Sequence, residues 1–269
     1  MSTTTISFIG GGNMATAMIG GLLRQQPAPA ITVSEPDPAK RAAFTAQGIT
    51  ATADNTLAVA ASDLVVLAIK PQMAVAVMPE IAAAWSGAKV LVSILAGTTT
   101  ARLQSFLPAG ARVVRTMPNT PLAIGQGMVG LCAGAHASAG DLARAEALFA
   151  PCARVLRLDD ESRMDAITAV SGSGPAYFFR IAEALIAAAE RQGFTRAEAE
   201  LLVGQTGAGA WAYLMQQGLD KAADLRRAVT SPGGTTAAAL AVIDSRGFDA
   251  LWADALDAAR RRGAELARQ

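Results

Sequence analysis

Apolar and polar positions follow two different rhythms along this chain. In the first part, short apolar runs at residues 5–9, 31–34, 64–68, 90–94 and 112–116 are separated by stretches with helical spacing, among them 12 to about 25 and 38–47. Runs of this length read as strands, and their largely continuous apolar character fits strands buried on both faces. Pro71 is suited to open, at its first turn, the helix that follows the third run. The pattern predicts a doubly wound parallel sheet that binds its ligands at the carboxyl ends of the strands.

The rhythm changes after residues 154–158, the last strand-like run. From Asp159 onward only helical segments rich in Ala, Leu, Arg and Glu are predicted, giving an α/β domain over 1–158 and an all-helical one over 159–269. Residues 197–215 are apolar nearly all round, with Gly204, Gly207, Ala208, Gly209 and Ala212 offering small contact surfaces. A helix without a polar face must be buried. In a domain of about 110 residues, burial between two subunits is easier than burial within one. A helical core within one chain is the alternative.

Composition narrows the function. Across 269 residues, 23 Lys and Arg stand against 22 Asp and Glu, with 52% hydrophobic and 17% charged residues. These values exclude a disordered chain and lack the basic excess of a nucleic-acid binder. An anionic ligand must therefore be held by local geometry. The first charged side chain is Arg24, and Gly10, Gly11, Gly12 and Asn13 interrupt the apolar start, unlike a signal peptide. The uncharged stretch 116–140 contains Pro118, Asn119, Pro121 and five glycines, so it reads as loop-rich and not as a membrane span. Cys132 and Cys152 are too few for a disulfide framework, and His136 alone makes no zinc site. The expectation is a soluble, cytoplasmic protein without nucleic-acid or membrane partners.

Five segments carry candidate chemistry. The first, Ile9-Gly10-Gly11-Gly12-Asn13-Met14-Ala15, sets G-x-G-x-x-A between a strand and a helix, the Rossmann-like dinucleotide signature. Gly10 permits the tight turn, Gly12 lets a pyrophosphate approach, and the N–H groups near Asn13 and Met14 face the phosphates. The second, Ala68-Ile69-Lys70-Pro71, ends the apolar strand and faces the same crevice. Its Lys70 is read as a phosphate-facing or solvated charge in preference to a catalytic base. The third, from Arg115 to Pro121, stiffens the loop around Asn119, which is either a cofactor contact or a structural turn. The fourth, Ser171-Gly-Ser-Gly174-Pro175, puts proline in a first helical turn behind flexible residues. In the fifth, Ser231-Pro232-Gly233-Gly234-Thr235-Thr236, Ser231 reads as N-cap and Pro232 as first-turn residue. Two successive glycines are costly within a helix, about 1 kcal/mol each, so this segment reads as a carboxylate-binding turn.

Taken in order, these five segments resemble the pyrroline-5-carboxylate reductases over almost the whole chain. The Ser-Pro-Gly-Gly-Thr-Thr segment is the most specific of them. The resemblance implies reduction of L-1-pyrroline-5-carboxylate to L-proline with NADPH, NADH also being used, and a homodimer through the helical half that assembles further into a ring such as a decamer. It implies that the substrate carboxylate is met around Ser231, Gly234 and Thr235, with the Thr236 hydroxyl on the ring nitrogen as the catalytic contact. Ile94, Leu95, Ala96 and Gly97 then lie along the nicotinamide. Ser34, Asn55, Lys40 and Arg41 are donors toward a 2′-phosphate, while Glu35, 23 positions after Gly12, would favour the free ribose of NADH. The segment Lys221–Arg227 departs from the usual His-Pro pattern. Two other readings stay open: a reductase of another imine or of a 3-hydroxy acid, and a non-catalytic NAD(P)-binding protein. Hydroxy-acid members use a helix lysine, whereas here that helix begins Pro175-Ala-Tyr-Phe-Phe-Arg180.

Overall fold

The computed structural model describes residues 4–87 and 89–266. Eight strands, β1 (Thr5–Ile9), β2 (Ala30–Ser34), β3 (Thr50–Thr52), β4 (Leu64–Leu67), β5 (Val90–Ser93), β6 (Arg112–Pro118), β7 (Gly127–Ala133) and β8 (Ala153–Leu158), form one sheet in the order β3-β2-β1-β4-β5-β6-β7-β8. The first six are mutually parallel, β7 runs antiparallel to β6, and β8 is parallel to β7. The winding reverses between β1 and β4, which opens a crevice at their carboxyl ends.

Side chains alternate between two cores, as the pleat requires. Ile6 and Phe8 of β1, Val66 of β4 and Val92 of β5 pack with Met18 and Leu22 of α1 (Asn13–Leu22), Phe44 of α2 (Pro38–Thr45) and Phe149. On the other face, Ile9, Val65, Leu67 and Leu91 pack with Val59 of α3 (Asn55–Ala60), Met78 and Ile81 of α4 (Ala74–Ala83) and Leu103 of α5 (Thr100–Gln104). Phe149 ends α6 (Ala139–Phe149). The start of α2 follows from its sequence: Asp37 accepts from the Ala39 N–H, and Pro38 takes the first helical position.

Two expectations are corrected here. The stretch 116–140 is not mainly loop, because it contains the end of β6 and all of β7. Its Gly130 is chosen for packing: a Cβ there would lie 2.5 Å from the Ile167 side chain. The residues ahead of Pro175 are helical, with α7 (Met164–Ile167) passing through a π-helical turn at Thr168–Gly172 into α8 (Gly174–Arg191). Pro175 does fall in the first turn of α8, where its missing N–H costs nothing.

The remaining helices are α9 (Arg196–Gln217), α10 (Ala222–Ala228), α11 (Thr235–Ser245) and α12 (Phe248–Leu266). From residue 159 on, the described residues contain no strand. The chain forms two compact units, one running to Gly174 and including the segment from Ala258 onward, the other being Pro175–Asp257. The sheet ends at Leu158, yet the first unit continues because Met164 packs with Leu158 and Cys132. Within the second unit, Phe178 meets Trp211 edge-on at 5.2 Å and Tyr177 meets Trp252 at 5.6 Å. That unit has little interior of its own. Of the 22 residues of α9, Ala199 alone is buried, while Leu201 is 71% exposed. Among the described residues, no helix is long and apolar enough to cross a membrane.

Candidate cofactor and substrate sites

The first site lies in the first unit, at the carboxyl edge of the sheet. Register pairs Ile9 with Ser34 on one side and with Leu67 on the other, and Leu67 with Ser93. The segments named from the sequence therefore converge on one edge. Gly10 donates its N–H to the Ser34 carbonyl at 2.8 Å, and Ala68 donates to that of Ile9 at 2.9 Å. Gly10 has φ +99°, and a Cβ on it would come within 2.6 Å of the Ala68 oxygen. Only glycine fits there.

Gly12 is the N-cap of α1, and no side chain caps that helix. The first turn holds no acidic residue, and the direction in which a Gly12 side chain would project is empty to 4 Å. The amides of Asn13 and Met14 thus lack an intrahelical partner, and the positive end of the helix dipole meets open space. This arrangement suits a pyrophosphate. The residues present fit a dinucleotide.

At the end of β2 the buried Glu35 turns its carboxylate inward. One oxygen accepts the Gly11 N–H at 2.8 Å and the other accepts the Asp37 N–H at 3.1 Å. The Ser34 hydroxyl donates to Asn55 Oδ1 at 2.7 Å, and the Asn55 amide donates to Glu80 at 2.8 Å. Arg41 Nη1 donates to the carbonyls of Glu35 and Pro36 at 2.8 and 2.7 Å, which leaves its remaining N–H groups beside the same edge. Lys40 and Lys70 are exposed. Lys70 precedes a short 3-10 turn, Pro71–Met73, that leads into α4.

The turn after β5 is pinned from below. Ile94 donates its N–H to the Leu67 carbonyl at 3.2 Å, and Leu95 donates to Ser93 Oγ at 3.2 Å. Asn119 stitches neighbouring segments: its amide donates to the Ser171 carbonyl at 3.2 Å, and its oxygen accepts the Met128 N–H at 2.9 Å. One group escaped sequence reasoning. Arg115, 3% exposed, pairs with both Glu161 and Asp165 at 3.2 and 3.1 Å. A charged residue inside an apolar strand was the available signal, but its partners lie 46 and 50 positions away.

The second site lies in the second unit and corrects the expected helix start. Ser231 is not the N-cap. Residues 231–234 form a tight turn in which the Gly234 N–H donates to the Ser231 carbonyl at 3.0 Å, so α11 begins at Thr235 with Gly234 as N-cap. The turn needs both glycines, since Gly233 has φ +69° and a Cβ on Gly234 would lie 2.5 Å from Ser231 Oγ. No side chain caps α11 and no acidic residue sits in its first turn. The amides of Thr235 and Thr236 have no intrahelical partner, and Thr236 is half-buried. The departing segment near Lys221 forms a 3-10 turn, Leu219–Lys221, in which Lys221 pairs with Asp220 at 3.4 Å.

Comparison with known proteins bears on both sites. Residues 161–266 match the family model described as pyrroline-5-carboxylate reductase dimerisation. Residues 5–97 match that described as NADP oxidoreductase coenzyme F420-dependent. A pyrroline-5-carboxylate reductase of Pseudomonas aeruginosa is 45% identical over 100% of this chain and 99% of its own. The structure of a pyrroline-5-carboxylate reductase from Coxiella burnetii superposes with a TM-score of 0.92 at 37% identity, covering 100% of both chains. That of the Plasmodium falciparum pyrroline carboxylate reductase with NADP bound gives 0.85 at 26% identity, covering 99% of each.

Proposed function

The chain belongs to the pyrroline-5-carboxylate reductase family, and we propose that it reduces L-1-pyrroline-5-carboxylate to L-proline with NAD(P)H. The observation that carries this reading is the uncapped start of α11 behind Ser231–Gly234, because such a turn has free N–H donors and no protein group to receive them. Those donors, the N–H groups of Thr235 and Thr236 behind the turn from Ser231 to Gly234, bind the substrate carboxylate. The Thr236 hydroxyl hydrogen-bonds the ring nitrogen and orients the imine.

Reduction of a cyclic imine puts hydride on carbon and needs a proton on nitrogen. When bound, NAD(P)H supplies the hydride. The substrate nitrogen arrives protonated, so the protein's task is alignment, and alignment supplies most of the remaining rate enhancement. Gly10, Gly11, Gly12, Asn13 and Met14 hold the pyrophosphate. Ser34, Asn55 and Arg41 meet the 2′-phosphate of NADPH, with NADH also accepted. Ala68, Ile69, Lys70 and Pro71 cover the cofactor, Ile94, Leu95 and Ala96 lie along the nicotinamide, and Asn119 supports that edge. Glu35 acts through Gly11, holding the phosphate turn in shape.

The protein self-associates through residues 161–266, the portion that matches the dimerisation model. We assign the contact to α9, forming a homodimer that builds larger rings such as a decamer. Two buried free thiols, Cys132 and Cys152, suit a reducing compartment, the cytoplasm. The test follows the absorbance of NADH or NADPH after addition of pyrroline-5-carboxylate. Oxidation with formation of proline is expected. Turnover confined to another imine or to a 3-hydroxy acid would reassign the substrate, and cofactor binding without turnover would leave only a binding protein.

A further inference from the structure

We propose that Arg115 is a positioning residue for hydride transfer, acting through Glu161 on the turn that follows β5. The inference rests on the placement of Ile94, Leu95 and Ala96 along the nicotinamide. Arg115 is buried, paired in register with Ser93. Its guanidinium forks onto Glu161 at 3.2 Å and Asp165 at 3.1 Å. Glu161 in turn receives two hydrogen bonds from one residue, the N–H of Thr100 at 2.8 Å and its hydroxyl at 2.6 Å.

Thr100 is the first residue of α5 and ends the turn that leaves β5. Its N–H is one of those a helix start cannot satisfy internally, and a carboxylate 61 positions away satisfies it. The opposite end of the same turn is held by the next residue of β6, since the Thr116 hydroxyl donates to the Ser93 carbonyl at 2.9 Å. Two adjacent residues of β6 thus fix both ends of residues 94–99, with Gly97 between them at φ +71°. A planar fork shared by two carboxylates holds direction as well as distance. Charge alone would not fix the turn.

The test uses the full-length enzyme. Glu161→Gln keeps the side chain's size and removes its charge, and Arg115→Lys keeps the charge and removes the fork. Both should lower kcat about tenfold. The deuterium isotope effect on kcat, with the transferred hydrogen of the cofactor labelled, should rise because the hydride step becomes limiting. Affinity for 2′,5′-ADP, which probes the adenosine half alone, should stay within about twofold of wild type. Arg157→Met, which removes an ion pair with Glu146 elsewhere on the sheet, should leave all three values unchanged.

A merely structural network would reduce thermal stability and leave kcat per folded site and the isotope effect untouched. That result in both variants overturns the proposal. Loss of 2′,5′-ADP affinity in step with kcat also overturns it, because the whole cofactor edge would then have moved. Wild-type enzyme that does not oxidise NAD(P)H with pyrroline-5-carboxylate overturns the function itself and removes the ground of this inference. The two failures are distinct.

Discussion

The carboxylate of Glu35 closes on the backbone N–H of Gly11 at 2.8 Å, across the turn that joins β1 to α1. Its second oxygen is taken by Asp37, and the Phe44 ring lies against Gly11, 2.6 Å from where a Cβ would stand. Glu35 thus spends its charge on shaping the turn. Glu35→Ser should loosen that turn for both cofactors, raising KM for NADH and NADPH together and leaving their selectivity ratio within about threefold, whereas losing a direct bond to one ribose would change the ratio by about tenfold. Steady-state kinetics with both cofactors decide the matter. A drop in KM for NADPH alone would mean that Glu35 does face the ribose.

Thr236→Ala should leave cofactor affinity unchanged and lower kcat/KM for the imine. One positioning hydrogen bond in a partly dry site is worth about 1–3 kcal/mol, or roughly tenfold to a hundredfold in rate. Activity within about twofold of wild type would remove Thr236 from the site.

What the sequence made legible was local. The turn from Gly10 to Ala15 could be read because a tight βα turn limits its residues to very few, and the buried strands because their apolar runs are continuous. Glycines that serve packing were harder to read, and Gly130 made β7 look like loop. At Ser231 the capping preference pointed to one helix start while a turn closed by Gly234 set another. Glu35 was found at the right edge by its spacing, but spacing does not say which donor a carboxylate chooses. Arg115 and Thr100 lie 46 and 61 positions from Glu161, and the group meets only when the sheet has formed.

The exposed face of α9 predicts its own cover. Leu201→Asp changes a side chain that is 71% exposed within one protomer, so it should be harmless to an isolated chain. Inside an interface it buries an unpaired charge. Sedimentation should show the variant dissociating to monomer with loss of activity. A wild-type protein that is monomeric and active at nanomolar concentration would contradict the assignment.

Neither cysteine should act as a reactive thiol. Burial, reinforced by the Glu161 carboxylate and only partly opposed by Arg115, pushes the Cys132 thiol up to about 12, and burial raises that of Cys152. The thiolate is the nucleophile. Ellman's reagent at mildly alkaline pH should find no fast-reacting thiol in the native protein and both after unfolding. Rapid native labelling would show that one of these sites opens.

Asp141 contributes to the pH dependence of stability. Burial pushes its carboxyl pKa up, but hydrogen bonds from the N–H and hydroxyl of Ser138 and the charges of Arg112 and Arg144 outweigh it, so the net shift is downward. The geometry fits that balance: the Ser138 donors lie at 2.9 and 2.7 Å, and Arg112 lies at 3.0 Å. A group whose folded pKa is lowered gives stability that is complete above its unfolded pKa and lost as the pH falls through the folded one. Asp141→Asn removes that charge and one acceptor of the capping box that starts α6. At neutral pH the variant should be less stable by about 1–3 kcal/mol. In acid, wild-type Asp141 becomes protonated and loses the same charge, so the difference should shrink below the ordinary carboxylate range. Urea midpoints of both proteins at neutral and acid pH provide the measurement. A gap of constant size across that range would show that shape, and not charge, holds Asp141 in place.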